Sequence, residues 1–161
     1  MQQSHSYCPE CGNTIALVEF EQTYMLKCST CKAEYYFDPK VSAVCALISD
    51  NQVLLIKRGN EPCYGKWSLP GGYVDRSEKV EDAVIREIRE ETGLRIEDIT
   101  LLGVYSSTGS PVIVIAYLTR ASSGHITPNH EVLECGFFDL NTLPELAFPR
   151  DEEIIRLAAV S

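Results

Sequence analysis

Basic residues are scarce in this chain: 14 lysines and arginines stand against 23 aspartates and glutamates, for a net charge of −9. A surface so short of cations does not suit broad nucleic-acid binding, which depends on neutralising phosphates. Long apolar runs are missing too. No stretch reaches the roughly 20 apolar residues of a bilayer-spanning helix, so no membrane partner is expected. Met1 to His5 offer neither a basic start nor an apolar core, so no secretory leader is expected and a cytoplasmic location is. Internal repeats and low-complexity tracts are not visible. At 161 residues, the chain has room for one main domain and a small appendage.

Cysteine is plentiful by contrast, at seven residues. Four of them form two Cys-x-x-Cys knuckles, Cys8/Cys11 and Cys28/Cys31, with sixteen residues between the knuckles. That spacing matches a tetrahedral four-thiolate zinc site. Redox pairs and disulfides are the alternatives, and a cytosolic chain disfavours both. Thr14 to Phe20 and Thr23 to Lys27 read as a hairpin between the knuckles, so residues 1–37 resemble a zinc ribbon. A segment this small buries little core, and Zn²⁺ binding is expected to supply its folding energy. Cys45 sits in an apolar run and reads as a small core residue; Cys63 reads as an exposed loop thiol, and Cys135 as buried beside Phe137 and Phe138.

Residues 38–161 alternate strands and helices. Strands are expected over 41–48, 53–57, 99–106, 112–119 and 132–138, and a closing helix over 152–160. The pattern is that of a mixed α/β domain, an α+β mixed sheet flanked by helices.

The helix expected around residues 80–92 is unusual. Val80, Val84 and Ile88 make an apolar stripe, with Asp75 or Ser77 as expected N-cap and Gly93 at the left-handed position that ends the helix. Glu87, Glu90 and Glu91 crowd its last turns, where acids repel each other and oppose the helix dipole. Glu87 and Glu91 lie in line with the apolar stripe, whereas a solvated charged face would lie opposite it. A hard divalent cation relieves both penalties, and a salt-bridged helix without a metal is the alternative.

Gly72, Glu78, Arg86, Glu87, Ile88, Glu90, Glu91, Gly93 and Leu94 resemble the signature of the Nudix hydrolases: Gly, five residues, Glu, seven residues, then Arg-Glu-apolar-x-Glu-Glu-x-Gly-apolar. Lys66 to Gly72 resemble the strand and glycine turn that precede it. The resemblance implies a Nudix α/β/α sandwich and an enzyme that hydrolyses pyrophosphate bonds. It implies Mg²⁺ or Mn²⁺ held by Glu87, Glu90, Glu91 and the Gly72 carbonyl, with Arg86 orienting a ligand and Glu78 supporting the same network. Bound cations also reconcile an acidic protein with a phosphate substrate. The general base is Glu90 or Glu91, or a loop acid, Glu131 or Glu134. Arg58 and Tyr105, together with Glu131 and Glu134, are the candidate substrate contacts; Tyr117 and Phe148 are weaker stacking candidates than core residues, and His125 and His130 read as solvated.

A zinc ribbon before such a domain resembles two groups. The NADH pyrophosphatases carry a Ser-Gln-Pro-Trp-Pro-Phe-Pro-like motif, and Tyr105 to Pro111 lack it. The zinc-ribbon FAD and ADP-ribose pyrophosphatases resemble the chain more widely, including Leu133-Glu134-Cys135 and Leu146-Ala147-Phe148. The resemblance therefore implies cleavage of a nucleoside diphosphate linked to a second moiety, FAD or ADP-ribose first. NADH cleavage, nucleoside triphosphate pyrophosphohydrolysis and a non-catalytic ligand-binding regulator are the alternatives. The expected partner is a small nucleotide, with a homodimer as a possible assembly.

Overall fold

The structure, a computed structural model, describes residues 7–161. The readings of Met1 to His5, and the start of the expected ribbon, lie outside the described residues. The chain divides into two compact units, Met1–Pro39 and Lys40–Ser161.

In the first unit Ile15–Phe20 (β1) and Thr23–Cys28 (β2) form the expected hairpin. Glu21 takes the left-handed φ of the connecting turn. Glu34–Tyr36 (β3) adds a third antiparallel strand to β2, too short at 3 residues to leave a periodic signal in the sequence.

The second unit is built on a mixed sheet. Its strands are Lys40–Ser49 (β4), Gln52–Arg58 (β5), Trp67–Ser68 (β6), Gly71–Tyr73 (β7), Thr100–Tyr105 (β8), Val112–Thr119 (β9) and Val132–Asp139 (β10). The main path runs β10-β5-β4-β9-β8, with β6 on β5 and β7 on β4. β4 and β9 are parallel; the other pairs are antiparallel. The turn between β4 and β5 puts Asp50 and Asn51 at positive φ, the conformation that favours Asn and Asp in tight hairpins.

Strand alternation splits the interior in two. Ala43, Cys45 and Leu47 face the helix Val80–Thr92 (α1), meeting Ala83, Val84 and Ile88. Val44, Ala46 and Ile48 face the helix Pro149–Val160 (α2), meeting Ile154, Ile155 and Ala158. The result is the helix–sheet–helix sandwich expected from the sequence. Val84 and Ile88 are fully buried, a gain of about 1.5–3 kcal/mol each.

Two local expectations are corrected. Neither Asp75 nor Ser77 caps α1: Lys79 holds the N-cap position with no side-chain cap bond. The preceding loop is organised by Glu78 instead, whose carboxylate accepts the Asp75 N–H at 3.0 Å. The closing helix starts at Pro149, three residues early, because proline's fixed φ and missing N–H suit a first helical turn.

Candidate active site

The β7 turn and the end of α1 meet. Gly71 runs at φ +145, and a side chain there would strike the Ala43 carbonyl. A Cβ on Gly72 would strike the Glu87 carboxylate. Two glycines are therefore needed for helix α1 to press its acids against the turn. At the other end of α1, Gly93 is left-handed and donates to the Arg89 carbonyl, as expected.

The three glutamates have different surroundings. Glu91 is 9% exposed, and its Oε2 accepts the Gly71 N–H at 2.8 Å. Burial pushes its carboxyl up to about 8, although the Gly71 N–H pulls it down; Glu87 and Glu131 add repulsion. Glu87 is half-buried, and burial raises it too, against the pull of Arg86. Glu90 is exposed. Their three sets of oxygens do not converge: among the described residues, the group of three or more whose ligand atoms all lie within 4.8 Å of one another is that of the four knuckle cysteines.

Arg86 ties the acids together. Its Nε and Nη2 donate to the two Glu78 oxygens at 2.8 and 2.9 Å, a bidentate pair. Nη1 donates to Glu87 at 2.8 Å and Glu90 at 3.2 Å, and Nη2 also reaches the Tyr73 carbonyl at 3.1 Å. The guanidinium holds the Glu78 carboxyl down at about 2. Arg86 thus offsets part of the cluster's negative charge and anchors the loop. The Gly72 carbonyl accepts the Ser42 hydroxyl at 2.9 Å, and Gly72 pairs with Ala43 across the β4–β7 ladder. Exposed and half-buried carboxylate oxygens beside a backbone carbonyl make an all-oxygen donor set, the kind a hard divalent cation takes.

Glu131 and Glu134 differ. Glu131 lies near enough to the buried acids to raise both Glu87 and Glu91. Its main chain is pinned by the Gly59 N–H, which donates to its carbonyl at 2.8 Å. Glu134 instead pairs with Lys57 at 2.6 Å. Arg58 follows Lys57 on β5. Its Nε donates to the Pro62 carbonyl, its Nη2 to Asn60, and its guanidinium lies over the Phe148 ring at 5.2 Å. Its charge is felt at Glu91. Tyr105 packs against the core under α2, and Tyr117 against the core under α1. Arg150 lies 4.2 Å from the Phe148 ring, so Phe148 carries two guanidiniums. His125 and His130 are exposed.

Asp151 was not singled out by the sequence. It is 1% exposed at the start of α2, and its Oδ2 accepts the Leu69 N–H at 3.2 Å. Burial pushes its carboxyl up to about 6. No sequence signal separates it from an ordinary helix-start acid, which the dipole favours anyway.

The thiols form a second centre. Cys8 Sγ stands 3.5 Å from Cys31 Sγ, and Cys11 Sγ 3.6 Å from Cys28 Sγ. Tetrahedral zinc with Zn–S bonds of about 2.3 Å needs sulfurs about 3.8 Å apart, so the cluster fits that ion. All seven cysteines are free, which argues against the disulfide alternative. The Tyr35 hydroxyl, 3.2 Å from Cys8 Sγ, lowers that thiol, and the Asn13 amide holds Cys11 down at about 6. Cys45 is fully buried, as expected; Cys63 and Cys135 are half-buried, so neither matches its expected extreme.

A family model described as NUDIX domain matches residues 39–158. A protein of Methanocaldococcus jannaschii described as ADP-ribose pyrophosphatase is 43% identical over 127 residues, covering 76% of this chain and 75% of that protein. A Vibrio parahaemolyticus protein described as NAD-capped RNA hydrolase NudC is 27% identical, covering 91% of this chain but 56% of that protein. The chain thus spans about half the length of such relatives. Among solved structures, a NUDIX hydrolase from Nitrosomonas europaea superimposes with a TM-score of 0.87 at 28% identity, covering 94% of this chain and 89% of that one. Among the described residues, no helix is long and apolar enough to cross a membrane. With its sandwich, its glycine turn and its acid-ended helix matched by a family model over three quarters of its length, the chain belongs to the Nudix family of hydrolases.

Proposed function

We propose that this hydrolase cleaves the pyrophosphate bond of a nucleoside diphosphate linked to a second moiety, with ADP-ribose the first substrate to test and FAD the second. The observation that carries the substrate class is the 43% identity to an ADP-ribose pyrophosphatase across most of both chains. The chain's net charge of −9 is unfavourable for holding RNA, which weighs against a capped-RNA substrate like that of the longer relatives. NADH cleavage ranks behind both, because Tyr105 to Pro111 lack the motif of that group.

Glu87, Glu90, Glu91 and the Gly72 carbonyl would hold Mg²⁺ or Mn²⁺, and such ions supply charge neutralisation on the phosphates and an activated water. The chain's own residues do the rest. Arg86 aims Glu87 and Glu90 toward one side, and Glu78 fixes Arg86 through its bidentate pair. The Gly71 N–H fixes Glu91. Glu131 is the better candidate for accepting a proton from water, since it shares a field with Glu87 and Glu91 while Glu134 is engaged by Lys57. Arg58 supplies positive charge beside the acids for a phosphate. Tyr105 belongs to the core under α2, which supports packing over substrate stacking. Cys8, Cys11, Cys28 and Cys31 would hold Zn²⁺, making residues 1–37 a metal-folded module.

A hydrolysis panel of ADP-ribose, FAD, NADH, coenzyme A and nucleoside triphosphates, with and without Mg²⁺, tests this reading. AMP and ribose 5-phosphate from ADP-ribose, only with metal, are the expected products. Pyrophosphate released from triphosphates with ADP-ribose untouched contradicts it, and no cleavage of any substrate favours a binding module.

A further inference from the structure

The segment Ser68–Gly72 is held from both faces of the sheet. On the α1 face, Glu91 accepts the Gly71 N–H, and Glu87 fills the space beneath Gly72. On the α2 face, Asp151 accepts the Leu69 N–H. The start of α2 is brought there by the chain before it: the Trp67 N–H donates to the Glu145 carbonyl, and the Ala147 N–H donates to the Trp67 carbonyl at 2.6 Å. Strand β6 and the lead-in to α2 therefore form one hydrogen-bonded unit.

Asp151 is poorly provided for at this depth. Its Oδ1 has no hydrogen-bond partner, and neither do the buried Ser68 Oγ and Arg150 Nε. Arg150 Nε stands 3.8 Å from Oδ1, beyond hydrogen-bonding range. A carboxyl buried with one protein hydrogen bond is costly, and an apolar side chain would serve the packing of α2 better. The single bond it makes goes to the backbone two residues before Gly71.

We infer that Asp151 is a positioning residue for the acidic site: by fixing the Leu69 N–H it sets the path of the Leu69–Gly72 backbone, and so the register in which Gly71 and Gly72 meet Glu91 and Glu87. Helix α2 thereby sets the geometry of a site that lies across the sheet from it. The inference rests on the metal-site reading of Glu87 and Glu91. The effect passes through one strand, where a displacement of about 1 Å can cost about a hundredfold in rate.

The test compares full-length D151A and D151N, without and with Mg²⁺. Amide hydrogen exchange at Leu69 and Gly71 is read without added Mg²⁺, and kcat and KM for ADP-ribose with it. D151A should speed exchange at both amides and lower kcat by about tenfold or more with KM near parental. D151N keeps an acceptor oxygen and should restore most of both. Faster exchange at Leu69 alone with parental kcat overturns the proposal, as does a D151N variant no better than D151A. D151E, which moves the carboxylate by one methylene, covers the case in which D151A does not fold: it must lower both Gly71 protection and kcat at near-parental Tm, and parental values of both overturn the proposal. A parent protein that hydrolyses nothing with Mg²⁺ sinks the metal-site reading instead, and leaves the Gly71 exchange result to judge the positioning.

Discussion

The thiol cluster and the acid cluster solve opposite problems. The four sulfurs already stand within 4.8 Å of one another, in a unit with a three-stranded sheet and little core beyond Met25 and Leu26. There the candidate ligands converge and the fold around them is slight, the situation in which a bound metal can stand in for a core. The three glutamates do not converge, yet they are mounted on a helix whose Ala83, Val84 and Ile88 are fully buried. There the fold is complete in itself: Arg86 gathers Glu87 and Glu90, and the Gly71 N–H holds Glu91 separately. One centre has converged donors and little fold; the other has a finished fold and dispersed donors.

The comparison can be broken most forcefully at Glu91. E91Q should lower turnover by about a thousandfold or more, while the far-ultraviolet circular dichroism and the protection of ribbon amides stay parental. Near-normal turnover would remove the acid cluster from the chemistry. Next in size, C28S should unfold the ribbon, seen as loss of amide protection in residues 7–39, with ADP-ribose hydrolysis largely kept. Lost turnover with an intact ribbon would give the thiols a catalytic role.

R86K sharpens the comparison further. A lysine cannot make the bidentate pair with Glu78 while reaching Glu87, so activity or metal affinity should fall about tenfold to a hundredfold. Parental activity and Mn²⁺ affinity in R86K would mean that Arg86 only balances charge.

A smaller effect concerns pH. Glu91 holds its proton up to about 8 in the folded, metal-free protein, against 4.5 for the unfolded chain. Between those values the folded state binds the extra proton, so the group's contribution to stability declines as pH rises. In zinc-replete protein without added Mg²⁺, the Tm of E91Q should exceed that of the parent at pH 8 by a margin that shrinks toward pH 5. A margin independent of pH would mean that Glu91 is ionised throughout. Smallest of all, E134Q should leave turnover within about twofold of parental while E131Q lowers it more; the reverse order would exchange the two residues' roles.

Much of both centres could be read before folding. The knuckle spacing picks out the four cysteines that the fold brings together. In α1, the Val80–Val84–Ile88 stripe and Gly93 locate the helix, and the offset of Glu87 and Glu91 from its polar face already marks them as unusual. Strand β9 has the bounds its apolar run implies, Val112–Thr119. What could not be read depends on partners far along the chain. Strands β6 and β7 have two and three residues and exist only because β5 and β4 lie beside them. Asp151 looks like any acid at a helix start until Leu69, 82 positions earlier, is folded against it. Glu131 and Glu134 are alike in sequence, and only the β5–β10 register gives Lys57 to one of them.

The measurement that tests the contrast most directly varies the two metals independently on one sample, reading ribbon amide protection and ADP-ribose hydrolysis together. Zinc should govern protection in residues 7–39 and leave the initial rate nearly unchanged, whereas Mg²⁺ should switch hydrolysis on without altering that protection. Hydrolysis that proceeds with zinc alone, or ribbon amides that become protected only when Mg²⁺ is added, would contradict the account.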